Sequence, residues 1–319
     1  MKSFKKICII RDDRLGDAIL TLPIINKLKK TYKNSKITLV ISPISAELVK
    51  KFDFFDNLIV SKNNLETLKA INQNNFDLII NFAPLKNKFY KLFLKSKNKI
   101  HLSFQSRYKK KKNRRIQNIF LKIFFHKIYF YERNNLNELR HQTEFMDSML
   151  ISEELYDSEK PKRVKLKLKN LSRFDYLIHL SDRWFKSEYE NKNFTDLIGI
   201  LLKNNSKISI TTDLYISNNL RVLIDEIIKN FKLQCFIMPS FDEWINLINQ
   251  SNVIITAESG CSHICGLLNK KTIIIYDSQN KPEFIMKEFK PYENKNSIQI
   301  KSTSGKKLNS EIISCLNQF

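Results

Sequence analysis

The stretch Lys6-Ile7-Cys8-Ile9-Ile10-Arg11-Asp12-Asp13-Arg14-Leu15-Gly16-Asp17-Ala18-Ile19-Leu20-Thr21-Leu22-Pro23 joins a short apolar run to a long one through a charged turn. Ile7 to Ile10 has strand length, and with no polar residue between them both faces must be buried, as in a parallel sheet. From about Gly16 to Tyr32 the apolar spacing changes to that of a helix. A strand turning directly into a helix is the start of a βαβ unit, and ligands in such sheets bind beyond the carboxyl ends of the strands. Arg11 to Asp17 occupy that position.

Working outward, strands are expected at Ile37 to Ile41, Leu58 to Val60 and Leu78 to Phe82, with helices near Ala46 to Phe52 and Leu65 to Asn72. The alternation breaks between about Lys86 and Lys169, a region rich in Lys and Asn. It resumes with strands at Tyr176 to Leu180, Ile208 to Thr211, Cys235 to Met238, Val253 to Thr256 and Thr272 to Tyr276. Helices near Phe194 to Lys203, Asn219 to Asn230, Phe241 to Asn249 and Cys261 to Leu268 separate them. Two parallel sheets follow, each the core of a Rossmann-like domain, with the linker near Pro161 and a cleft at the strand ends. The 319 residues suit two domains of about 150 each.

The apolar run after Lys5-Lys6 is too short for a signal peptide, and no stretch approaches the roughly 18 apolar residues of a membrane span. A cytoplasmic protein is expected, with membrane contact at most peripheral. Five scattered cysteines suit buried thiols in a reducing compartment. His263 lies between Cys261 and Cys265, but no second pair of Cys or His at ligand spacing completes a zinc site, so no metal is expected. The formal net charge of +23 asks for an anionic partner, although Lys and Asn are abundant throughout and part of that charge is solvated surface. No recognised nucleic-acid motif occurs, and the aromatic residues fall mainly at core spacing, so a basic nucleic-acid-binding protein is the second reading.

Three segments carry candidate chemistry. Gly16 permits a tight turn with close approach to a ligand, and Asp17 falls at a helix amino terminus, either as a cap or as a functional carboxylate. Glu258-Ser259-Gly260-Cys261-Ser262-His263 follows a strand and opens a helix. Its backbone amides and the Ser259 hydroxyl would cradle a phosphate, or only start the helix, and Glu258 would accept from ribose hydroxyls. Lys186, just past the first strand of the second half, would put an ammonium opposite a diphosphate, one lysine among many.

Together these segments resemble the ADP-heptose:lipopolysaccharide heptosyltransferases. Arg11, Gly16-Asp17 and the apolar helix with Thr21-Leu22-Pro23 are similar to that family's amino-terminal signature. Glu258-Ser259-Gly260-Cys261-Ser262-His263 is similar to its Asp-Ser/Thr-Gly-x-x-His. Arg140-His141-Gln142-Thr143-Glu144 looks like the segment before its linker. The resemblance implies the α/β GT-B fold, two Rossmann-like domains facing a central cleft. Residues 1–165 would receive the acceptor and 166–319 the nucleotide-sugar donor. It also implies an inverting transfer without a metal or cofactor, with Asp17 as base. The donor, ADP-linked by family, would be held by Gly16, Ser181, Lys186, Glu258, Ser259, Gly260 and His263. Arg11 and Arg14 would meet an anionic glycolipid or glycan acceptor. A relative that binds the donor without catalysis is a further alternative. Glu258 stands where Asp is usual, Tyr276-Asp277 replaces Phe-Gly, and Thr211-Thr212-Asp213 lacks the family's glycines, so the donor pocket differs.

Lys109-Lys110-Lys111-Lys112-Asn113-Arg114-Arg115 leads into Ile116 to Phe125, an aromatic, amphipathic segment. Residues 109–125 suit contact with the anionic cytoplasmic face of an inner membrane; the alternative makes Phe120, Phe124 and Phe125 core and the lysines a solvated loop.

Overall fold

The computed structural model describes residues 3–85, 88–104, 119–131, 133, 135–169, 172–185, 188–203, 205–213 and 215–319. Lys186 and Lys109 to Arg115 lie outside the described residues. The chain divides into two compact units, Met1–Val164 and Lys165–Phe319.

The first unit runs β1 (Lys6–Arg11), α1 (Leu15–Thr31), β2 (Lys36–Ile41), α2 (Pro43–Val49), β3 (Asn57–Val60), α3 (Asn64–Asn72) and β4 (Leu78–Asn81). A 3₁₀ helix (Phe89–Phe93), β5 (Asn98–Phe104), β6 (Lys127–Tyr131) and α4 (Gln142–Ser152) complete it. Its sheet has the order β3-β2-β1-β4-β5-β6. Every pairing is parallel, with Ile7 set against both Ile37 and Leu78. β1 is covered on both faces, and Ile7, Ile9 and Ile10 are wholly buried, as its unbroken apolar run demands.

The second unit runs β7 (Phe174–Leu180), a 3₁₀ helix (Asp182–Phe185), α5 (Asn191–Lys203), β8 (Ile208–Thr212), α6 (Asn218–Phe231), β9 (Gln234–Phe236) and α7 (Phe241–Asn249). It continues through β10 (Ser251–Ala257), α8 (Gly260–Leu268), β11 (Lys271–Tyr276), α9 (Pro282–Phe289), β12 (Ser297–Lys301) and α10 (Gly305–Leu316). Its order is β12-β11-β10-β7-β8-β9, again all parallel. Counted from its own first strand this is the arrangement of the first sheet. In each, the order reverses beside the first strand, between β1 and β4 and between β7 and β10.

Four expectations are corrected. The alternation does not break after Lys86: β5, β6 and α4 continue the first sheet within that region. In β5 only Ile100 and Leu102 are aliphatic, while the buried positions between and after them carry His101 and Ser103. His101 Nδ1 lies 2.8 Å from Asn81 Nδ2 and its ring stacks on Phe125 at 4.6 Å. A strand that buries polar side chains against each other hides its signal from an apolar count. α2 starts at Pro43, three residues before the expected Ala46, because Pro is favoured at the first helical position and Ser42 precedes it. The tight turn expected at Gly16 is instead the first turn of α1, of which Gly16 is the second residue. The strand expected to reach Met238 ends at Phe236, and Met238 takes φ of 48°.

α1 is covered nearly all round, with Ala18, Ile19, Leu20, Leu22, Ile24, Ile25 and Leu28 buried. Pro23 inside it removes a backbone donor, a cost of about 3 kcal/mol in an exposed helix. Burial of that apolar surface offsets it, and Thr143 Oγ1 of α4 donates to the Leu20 carbonyl at 2.7 Å, tying the two helices together.

Candidate functional site

Each unit places its candidate residues where its strand order reverses. In the first, β1 ends at Arg11 and α1 begins at Leu15, so Arg11 to Asp17 form the lip beyond the strand. The Arg11 side chain is 1% exposed, and its guanidinium is shared by four groups. Nη2 donates to Asp17 Oδ1 at 2.7 Å and to Gln142 Oε1 at 2.8 Å. Nη1 donates to the Phe82 carbonyl, and Nε lies 3.2 Å from Asp13 Oδ1. A guanidinium suits this, since its donors point several ways from one rigid plane. Arg11, expected among acceptor contacts, is thus committed inside the protein, whereas Arg14 is exposed. Arg14 occupies the N-cap of α1 without a side-chain cap bond, so the Asp17 carboxylate is oriented by Arg11.

A second cluster supports this lip from beneath. Asp12 is buried, its carboxylate 2.6 Å from Lys91 Nζ and 3.0 Å from Lys88 Nζ. Tyr90 Oη donates to it at 2.6 Å and Ser61 Oγ at 3.2 Å. Burial pushes the Asp12 carboxyl up, but Lys91, Tyr90 and Lys88 outweigh that and hold it below the ordinary range. Burial carries Asp13 the other way, to about 6, because Arg11 opposes the loss of solvent only partly and the Asp17 charge adds to it. Burial also pushes His101 down to about 3, with the Lys91 charge assisting, so its ring is neutral.

In the second unit, Ser181 follows β7, and Trp184 of the next turn is anchored by its Nε1 donating to the His179 carbonyl at 2.9 Å. Ser181 is buried and its Oγ has no hydrogen-bond partner among the described residues. Beside it, beyond β10, Ser259 caps α8, its Oγ accepting from the Cys261 amide at 3.2 Å. Gly260 is the first residue of that helix, and His263, in its first turn, is 3% exposed. Glu258 Oε2 accepts from Arg183 Nη1 at 2.7 Å, and the same nitrogen donates to the Glu258 carbonyl. Asp213, past β8, meets His179 Nε2 at 3.2 Å; burial raises its carboxyl, but His179 and Arg183 draw it lower on balance.

Sequence reasoning thus missed Asp13, Gln142 and Arg183. Gln142 lay in view within the Arg140 to Glu144 segment: His141 caps α4, Gln142 reaches Arg11 and Thr143 bonds α1. Arg183 and Asp13 stand among many charges, and only the fold singles them out. Among the described residues no group of three or more His, Cys, Asp or Glu gathers so as to hold a metal ion.

No protein-family model and no curated protein sequence matches the chain. Solved structures do. A glycosyl transferase family 9 protein from Veillonella parvula superposes with a TM-score of 0.74 at 14% identity, over 100% of this chain and 99% of that one. The E. coli ADP-heptose lps heptosyltransferase II gives 0.72 at 12%, over 98% and 99%. The E. coli heptosyltransferase WaaC, in a structure with ADP, gives 0.71 at 13%, over 97% and 99%. The class this defines is the two-domain GT-B fold, end to end. At such identity the likeness carries the fold, and the chemistry has to be argued from the site.

Proposed function

We propose that the chain is a glycosyltransferase that moves a sugar from a nucleoside-diphosphate donor to a lipopolysaccharide or related cell-surface glycan. In particular it is read as a heptosyltransferase-like enzyme using an ADP-linked sugar. One observation carries this reading: of the segments that resemble the heptosyltransferase motifs, Arg11 to Asp17 and Glu258 to His263 each fall at the strand-order reversal of their sheet, where doubly wound folds bind ligands. The full-length likeness to enzymes of that class, one with ADP bound, supports it.

In the reaction, the acceptor hydroxyl oxygen attacks the anomeric carbon while its proton passes to the Asp17 carboxylate. The bond from that carbon to the diphosphate oxygen breaks on the opposite face, so configuration inverts, and the diphosphate leaves with the electron pair. Asp17 is suited to the base role because it is ionically fixed by Arg11 yet remains 16% exposed. The α8 amino terminus, with Ser259 and Gly260, stabilises the departing charge, so no metal is needed. Ser181, His263 and Lys186 complete the donor site. Glu258 acts jointly with Arg183: any ribose hydroxyl that binds Glu258 must share it with that guanidinium. Arg14 meets the acidic acceptor. Residues 109–125 rest on an anionic membrane surface beside that acceptor, on the cytoplasmic side.

Incubation with ADP-, UDP- and GDP-sugars and a lipopolysaccharide acceptor, following nucleotide release, tests the reading. Asp17→Asn is expected to lower turnover by about 10²- to 10⁴-fold while ADP affinity stays unchanged. Failure of all three nucleoside diphosphates to bind would sink the transferase reading.

A further inference from the structure

The Arg11 guanidinium serves two carboxylates at once. Asp17 takes a hydrogen bond from Nη2 at 2.7 Å, and Asp13 lies 3.2 Å from Nε. The Asp13 side chain is 18% exposed, and no donor is aligned on its Oδ1 among the described residues. Lys91 and Lys88 both already contact Asp12. Gln142 of α4 and the Phe82 carbonyl, which also hold Arg11, are neutral. The buried Arg11 guanidinium therefore touches both the carboxylate assigned to catalysis and a neighbour to which no role in the proposed reaction is assigned.

We propose that Asp13 is a positioning residue of the site, which, by sharing Arg11 with Asp17, sets how tightly the guanidinium holds Asp17 and so makes turnover depend on the ionisation of Asp13 itself. This rests on the reading of Asp17 as the base. While Asp13 is ionised it draws off part of the guanidinium charge, and Arg11 holds Asp17 less tightly. When Asp13 is protonated, that charge falls on Asp17 and ties its carboxylate back from the acceptor hydroxyl. Lys91 and Asp12 act on Asp13 with opposite signs, as Arg11 and Asp17 do. With its carboxyl raised to about 6, the exchange happens just below neutrality.

The experiment has two arms. In the first, kcat and KM of wild type, Asp13→Asn and Asp13→Glu are measured from pH 5 to 8. Wild type is expected to lose kcat through an inflection near 6, which Asp13→Asn lacks and Asp13→Glu restores. Asp13→Asn should also turn over several-fold more slowly at its plateau, with KM for the donor unchanged. In the second arm, which needs no substrate, thermal stability is followed against pH. A carboxyl raised in the fold costs stability as pH rises from about 4, where the unfolded chain ionises, to about 6. Asp13→Asn should therefore gain on wild type across that window. The same comparison of Asp13 with Asp13→Asn, made in an Asp17→Asn background, should show the window at lower pH, because Arg11 then belongs to Asp13 alone. An inflection that survives in Asp13→Asn, or a window indifferent to Asp17→Asn, overturns the proposal. If wild type turns over no donor, the transferase reading falls and the stability arm alone decides whether the carboxylates are coupled.

Discussion

Arg11, Asp12 and Asp13 are consecutive residues, and the turn after β1 gives each a different fate. Arg11 and Asp12 are buried, one holding the lip of the site and the other holding the segment after β4 to it. Removing Asp12 would leave Lys91, whose side chain is fully buried, without its counterion. Breaking a buried pair in this way costs about 3–5 kcal/mol, whereas an exposed pair contributes well under 1. Asp12→Ala is accordingly expected to lower stability to denaturant by about 3 kcal/mol or more. Glu159→Ala, which breaks only the exposed pair with Lys162, should fall within about 0.5 kcal/mol of wild type. Because the Asp12 carboxyl is held below its ordinary value, its contribution is present above the unfolded pKa near 3.9 and is lost as pH falls through the folded value. Equal losses in the two variants would mean that Lys91 finds other partners when Asp12 is gone. The place of Asp17, in the helix turn that follows a buried strand, was legible from the sequence. The sharing of Arg11 was not, since Gln142 and Phe82 reach it from 131 and 71 residues away.

At the scale of elements, the buried strands β1, β2, β4, β7, β8, β10 and β11 announced themselves as β-branched runs, and α7 lies at the expected residues. β5, β12 and α9 did not, because polar or charged residues interrupt their apolar positions. The helical residues 119–124 show why a pattern of this kind has two readings. Leu121 and Phe125 are buried at 2%, as core would require, and pack with Leu92. Ile119, Phe120 and Ile123 are 68%, 50% and 74% exposed, and Phe93 beside them is 60% exposed, its ring 6.3 Å from that of Phe124. One segment thus supplies both core and an apolar surface, with exposed Lys122 on it and Lys127 just beyond. Apolar side chains beside cations are what an anionic leaflet binds. Sedimentation with vesicles containing anionic phospholipid should show binding that weakens as salt is raised, and weakens further in Phe120→Ser/Ile123→Ser. Binding that ignores both salt and these substitutions would remove this segment from any membrane role.

For the whole molecule, the repeated strand order separates the proposed tasks into two cores. Among the described residues, the base, its cation and the carboxylates around it lie in Met1–Val164, while Ser181, Arg183, Glu258, Ser259, Gly260 and His263 lie in Lys165–Phe319. Each unit buries its own apolar cluster: Ile178, Leu197, Ile224 and Ile255 belong to the second, Cys8, Ile10, Val40 and Ile79 to the first. Units of this kind unfold as separate cooperative blocks unless the contact joining them is large and apolar. Where a calorimetric scan resolves two transitions, each reports one unit. A ligand that binds only the native form of one block stabilises that block, by about 2.7 kcal/mol at a concentration 100 times its dissociation constant. For a block the size of Lys165–Phe319, at roughly 2–4 °C per kcal/mol, that moves the midpoint by roughly 5–11 °C. ADP should then raise one transition by several degrees and leave the other in place, and Ser259→Ala with Gly260→Ala should shrink the shift. Assigning the moving transition with Asp12→Ala, which lowers only the first unit, completes the test. If ADP raises the transition that Asp12→Ala lowers, the nucleotide is held by the first unit, and the division of donor and acceptor between the two halves is reversed.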